Sequence, residues 1–84
     1  MTIQNRLGLH ARPAMALVDT VNRYKAAVTI RKNEEVVDGK SIMQVMMLAA
    51  TQGTQLEVEA TGDDAPQLLE EVTNLVNRKF NEDD

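Results

Sequence analysis

A two-layer α+β fold, with three helices on one face of a four-stranded antiparallel sheet, is the class this 84-residue chain predicts. Three observations carry the expectation. Residues 26–32 and 55–60 alternate apolar and polar side chains, the pattern of strands with one buried and one wet face. Residues 11–24 and 65–80 instead repeat apolar side chains every three or four positions, which puts a single stripe on each helix. The segments follow the order β-α-β-β-α-β-α, which the split βαβ plan accommodates with the helices on one side and the other face of the sheet open.

The elements follow in turn. Residues 2–6 form a short first strand around Ile3, ended by Gly8. The first helix runs from about 11 to 24 on the stripe Ala14, Leu17, Val18, Val21 and Tyr24, with His10 as its N-cap and Pro13 in its first turn, where a missing N–H costs little. Ala26, Val28 and Ile30 mark the inner face of the second strand. Asn33 suits a left-handed turn, Glu35, Val36 and Val37 return as a hairpin, and Asp38-Gly39-Lys40 closes it. Residues 41–50 are apolar almost all round, more than a chain this small can cover, so Val45 and Leu48 belong in the core while Met43 and Met46, beside Ile42, face solvent as a partner-binding patch. Leu56, Val58 and Ala60 face inward from the last strand. Asp63 or Asp64 caps the final helix, Pro66 lies in its first turn, and Leu68, Leu69, Val72, Leu75, Val76 and Phe80 form its stripe. No linker or repeat divides residues 1–84, which read as one domain.

Composition narrows the function. The net charge is −4, which argues against general nucleic-acid binding. Seven of the thirteen acids lie in Asp63-Asp64, Glu70-Glu71 and Glu82-Asp83-Asp84, whereas Arg6, Arg12, Arg23 and Lys25 make the first third the least acidic region. The absence of cysteine excludes disulfides, thiolate metal sites and cysteine catalysis. No apolar run approaches the roughly 20 residues of a membrane span, and the first residues lack a signal peptide's apolar stretch, so a cytoplasmic protein is expected.

The chemistry concentrates at Gly8-Leu9-His10-Ala11-Arg12-Pro13-Ala14. Imidazole is one of the few side chains able to act as a nucleophile near neutral pH. At a helix start it lies beside N–H groups without intrahelical acceptors, a ready anion site. Arg12 adds a cation with a forked donor array, and Ala11 and Ala14 are small enough to leave the site open. The hypothesis is that His10 accepts a phosphoryl group, with the Ala11 and Arg12 positions binding the phosphate. A lone histidine that merely caps a helix is the alternative. There is no second acid or base nearby, no metal cluster and no Gly-rich nucleotide loop, so a stand-alone enzyme is not expected, nor any cofactor or metal.

With these residues in view, the chain resembles the histidine-containing phosphocarrier family, HPr, of the bacterial phosphoenolpyruvate:sugar phosphotransferase system. Two motifs carry the resemblance: residues 8–14 quoted above, and Asp38-Gly39-Lys40-Ser41-Ile42-Met43. It implies an open-faced β-sandwich with strand order 1-4-2-3. It implies that His10 takes phosphate through Nδ1 from phosphorylated enzyme I and donates it to IIA domains, with Arg12 as the phosphate-stabilising partner, and that the 41–50 helix docks donor and acceptor alike. Such a carrier is a monomer that needs no cofactor and inserts in no membrane. Ser41, after Gly39-Lys40 and before an apolar helical run, reads as the N-cap of its helix; the resemblance adds a regulatory phosphorylation site there for a dedicated HPr kinase/phosphorylase, which would bring in a transcriptional regulator as a further partner. Leu7, Gln44 and Met47 depart from common members, and residues 5–10 are similar to the nitrogen-related branch. Two alternatives follow, a nitrogen-type regulatory phosphocarrier and a binding module acting through Ser41 and the 41–50 helix.

Overall fold

The computed structural model describes residues 1–4, 8–48 and 50–81. Its elements are α1 (Ala11–Asn22), β1 (Ala27–Lys32), β2 (Glu35–Asp38), α2 (Ile42–Met47), β3 (Glu57–Thr61) and α3 (Ala65–Asn77), followed by a 3₁₀ turn at Lys79–Asn81. The described residues form a three-stranded antiparallel sheet of order β2-β1-β3, which corrects the expectation of four strands in the order 1-4-2-3. The first segment makes a single bridge, Thr2 with Gln55, supported by Ile3 N–H to Thr54 O at 2.9 Å and Gly53 N–H to Ile3 O at 2.8 Å. Met1 and Leu56 also exchange bonds, the Met1 amino group donating to Leu56 O and Leu56 N–H to Met1 O at 2.6 Å, so residues 1–3 run antiparallel to 54–56 although among the described residues only this one bridge forms. Positions 5–6 of the expected strand lie outside the described residues.

β1 is central, paired with β2 on one edge and β3 on the other. Val28 and Ile30 are buried, and Ile30 pairs with Val37 on one side and Val58 on the other. The hairpin turns at Asn33, whose φ of 56° is the left-handed conformation expected of it. The three helices cover the Val28 and Ile30 face. Leu17, Val21, Val45, Leu48, Leu56, Leu68 and Val72 meet there in one core with Ile3. Leu17 is fully buried, and Leu17→Ala should cost about 2–5 kcal/mol by denaturant unfolding.

α1 ends at Asn22, two residues before the expected limit, and Tyr24 is only half-buried. α2 spans Ile42–Met47, shorter than the expected 41–50. The chain leaves that helix because Lys32 Nζ binds the Leu48 carbonyl at 2.8 Å and Leu9 N–H takes the Ala50 carbonyl at 2.7 Å. Leu69 is the one exposed member of the expected α3 stripe, since Leu68, Val72, Leu75 and Val76 already fill the core-facing arc. Phe80 is buried through a chain reversal in which Lys79 and Phe80 both take positive φ, 53° and 56°.

Asp64 corrects another expectation. It stands at the N-cap of α3 but makes no side-chain cap there. Its carboxylate accepts instead from Lys25 N–H at 2.8 Å and Ala26 N–H at 2.9 Å, pinning the entry to β1. The Lys25 backbone bond, followed by that from Ala26, holds the carboxyl below its ordinary range against partial desolvation. A depressed native pKa means the stabilisation is present above the unfolded carboxylate value of about 3.9 and is lost as pH falls through the lower native value. Asp64→Asn, whose amide can accept from only one of the two N–H groups, should lower the thermal midpoint at neutral pH, and the gap to the parent should close on acidification.

Candidate functional site

The site is built where the chain enters α1. Gly8 is buried with φ +72°, and a Cβ there would lie 2.5 Å from Ala50 O and 2.8 Å from Thr51 Cα. Only glycine lets the segment press so close to residues 50–51 while turning toward the helix. Leu9 follows into the core at 4% exposure. His10 then occupies the N-cap with extended φ, ψ of −87° and −166°, and its carbonyl accepts from Ala14 N–H at 2.9 Å. Its imidazole is half-exposed and makes no capping bond to the helix.

Geometry at the first turn follows from the residue types. Ala11 and Arg12 supply backbone N–H groups without intrahelical acceptors, and both residues are exposed. Pro13 has no N–H, so the helix end offers these two donors rather than three, and its buried ring anchors the turn in the core. Ala14 is wholly buried, so it packs against the core and does not shape the opening as expected. No acidic residue lies in this first turn, so nothing there competes with a phosphate for the helix dipole. Leu7, the expected departure beside His10, lies outside the described residues.

The second motif is a clamp. Asp38 Oδ1 accepts from Lys40 N–H at 2.9 Å, which tightens the turn. Gly39 is buried against Val28, whose Cγ1 would lie 2.6 Å from a Cβ at that position. Lys40 Nζ binds Tyr24 O at 2.8 Å, and its carbonyl accepts from Asn22 Nδ2 at 3.2 Å, so the end of α1 holds the start of α2. Since Leu9 and Gly8 meet residues 50–51, the two helices run side by side in opposite directions. Met47 therefore lies toward the His10 end of the pair, and Ser41 toward the far end. Tyr24 belongs to the same corner, where partial burial, and after it the charge of Glu71, push its hydroxyl pKa up.

Ser41 caps α2, its Oγ accepting from Gln44 N–H at 3.3 Å. Gln44 was missed by sequence reasoning: its Oε1 accepts from Asp38 N–H at 2.9 Å, three residues before the N-cap, whereas the Ser-x-x-Gln spacing would have pointed to the N–H of Ser41 itself. Ser41→Ala should cost about 0.5–2 kcal/mol by thermal unfolding. Met43 and Met46 are exposed and Val45 and Leu48 buried, as their spacing predicted, while Ile42 is half-buried. Met47, 72% exposed, and Met15 on α1, 55% exposed, are further exposed apolar side chains beyond those singled out from sequence.

The site thus brings together a half-exposed histidine at a helix start and an exposed arginine in the same turn of a small α+β domain. Among the described residues no cluster of His, Cys, Asp or Glu is placed to hold a metal ion, and no helix is long and apolar enough to cross a membrane. The family model described as the PTS HPr component phosphorylation site matches residues 1–78, and the chain belongs to this family. The Pseudomonas aeruginosa phosphocarrier protein HPr is 46% identical over 83 residues, covering 98% of this chain and 92% of that protein. The phosphocarrier protein NPr of Proteus mirabilis is 39% identical over 84 residues, covering 99% and 93%. The crystal structure of HPr from Thermoanaerobacter tengcongensis superposes with a TM-score of 0.94 at 35% identity, covering 99% of this chain and 93% of that one.

Proposed function

We propose that this chain is a phosphotransferase-system phosphocarrier in which His10 receives a phosphoryl group from phosphorylated enzyme I and passes it to a IIA domain. The observation that carries the reading is the position of His10 at the α1 N-cap, half-exposed, with Ala11 and Arg12 in the same turn. A ring nitrogen, Nδ1 by the family's pattern, forms a bond to phosphorus as the donor's bond to phosphorus breaks with its electron pair returning to the donor. Onward transfer reverses the roles: the N–P bond of His10 breaks and the acceptor's bond forms. The Ala11 and Arg12 N–H groups and the Arg12 guanidinium offset the charge on the equatorial oxygens. Two amides and an exposed guanidinium hold the group weakly enough for release, which a carrier needs as much as capture. The exposed methionine face of α2, with Met15, supplies an apolar docking surface at which donor and acceptor compete. The cycle requires no bound metal or nucleotide and takes place in the cytoplasm.

The acceptor separates two branches. NPr relatives of nearly full-length coverage stand beside the HPr ones, so a nitrogen-type IIA protein is a candidate alongside a sugar-type one. Phosphoenolpyruvate and enzyme I should load one phosphate onto the chain. Adding each IIA type to the loaded chain then reads out the branch by which one removes it. Failure to load under conditions that charge a known HPr would overturn the carrier reading.

Regulation through Ser41 is a second proposal. Its half-exposed position at the start of α2 allows a phosphate there to meet the helix dipole favourably while setting a hydrated charge beside Ile42 and Met43. Incubation with an ATP-dependent HPr kinase followed by mass spectrometry tests it: added mass on Ser41 supports the proposal, and none ends it for that kinase.

A further inference from the structure

Four of the chain's five methionines are exposed, and they fall on the two helices that pack side by side at the candidate site. Met43, Met46 and Met47 share one face of α2 by their three- and four-residue spacing, at 75%, 43% and 72% exposure, and Met15 lies on the exposed side of α1 at 55%. Leucine or isoleucine would give the same apolar area. Methionine differs in carrying an oxidisable thioether. No cysteine exists in the chain to react first. Beneath the patch Val45 and Leu48 are buried and supply the core side chains of α2.

We infer that this methionine face is a peroxide-sensitive modification site that switches partner docking off. The inference rests on the docking role proposed above for the same surface. In the reaction a lone pair of the thioether sulfur attacks one peroxide oxygen, the O–O bond breaks, a sulfur–oxygen bond forms and water leaves. Sulfur is oxidised by two electrons and the peroxide takes up those two, one for each of its oxygens. The product is a polar, hydrated sulfoxide where a partner meets an apolar side chain, and sulfoxide reductases reverse the change. His10 is untouched, so the chemistry of transfer survives while encounter weakens.

The test treats the full chain with hydrogen peroxide, maps sulfoxides by peptide mass spectrometry and measures loading by enzyme I. Expected are sulfoxides at Met43, Met47 and Met15 ahead of Met1, a KM for the carrier raised about tenfold with kcat kept, as loss of one or two buried apolar contacts predicts, and recovery after reductase treatment. A fourfold variant, Met15→Leu, Met43→Leu, Met46→Leu and Met47→Leu, has no thioether on this face, so whatever its own KM, that value should be the same before and after peroxide. Unchanged KM in a fully sulfoxidised chain would overturn the inference and leave the carrier reading intact, as would a peroxide effect that persists in the leucine variant. If the untreated chain does not load at all, both fall together.

Discussion

His10→Ala abolishes loading by phosphoenolpyruvate and enzyme I while leaving the fold in place. The residue is half-exposed, outside the buried core cluster, so its removal opens no core cavity. The expected stability change is within about 1 kcal/mol, the range of surface substitutions. Chemistry, by contrast, has no substitute in this turn. A guanidinium only donates hydrogen bonds and cannot attack phosphorus, and α1 has no other nucleophile in its first turn. Loss of loading with a preserved unfolding transition separates a reactive group from a structural one. Appreciable loading of this variant would show that the phosphate resides elsewhere.

Gly8→Ala should be the most damaging single change near the site. Two effects add there. A non-glycine residue at φ +72° is strained, by about 1–3 kcal/mol, and the new Cβ would meet the Ala50 carbonyl and the Thr51 Cα, both backbone atoms that cannot swing aside. A loss of about 3 kcal/mol is expected, which for a domain of this size lowers the midpoint by roughly 12–24 °C. Because the same contact sets where His10 emerges, loading should slow even at temperatures where the variant is folded. A midpoint within a few degrees of the parent would mean that residues 50–51 do not hold the site as described.

Elements whose physics is local were the legible ones. Asn33 in a left-handed turn, Ser41 as a cap, buried Val45 and Leu48, exposed Met43 and Met46, and His10 at a helix start each follow from one residue's preferences or one helical period. What escaped depends on partners distant in sequence. Asp64 reads as a helix cap until the loop at Lys25 and Ala26 is brought to it. The length of α2 is set by Lys32 and Leu9, from two other parts of the chain. Residues 1–3 do lie antiparallel to 54–56, through Met1–Leu56 and Ile3–Thr54 backbone bonds, but among the described residues the pairing amounts to one bridge, with the turn at 52–53 directly beyond Thr54. Ala14 is small for close packing, which composition alone cannot distinguish from small for access.

The motif at residues 38–43 shows the limit from the other side. It served as a functional signature, yet most of its residues act structurally: Asp38 and Gly39 shape a turn against Val28, Lys40 ties two helix ends, and Ser41 caps. Its contribution to the site is indirect, through the placement of α2 and its methionines beside α1.

Phosphorus NMR of the freshly loaded chain, with assignment of the histidine ring protons, tests the central claim most directly. The account predicts one phosphoramidate signal, displacement of the His10 ring resonances, and disappearance of the signal in mild acid but not in alkali. A signal that survives acid, maps to a hydroxyl or carboxylate, or leaves the His10 ring unmoved would contradict it.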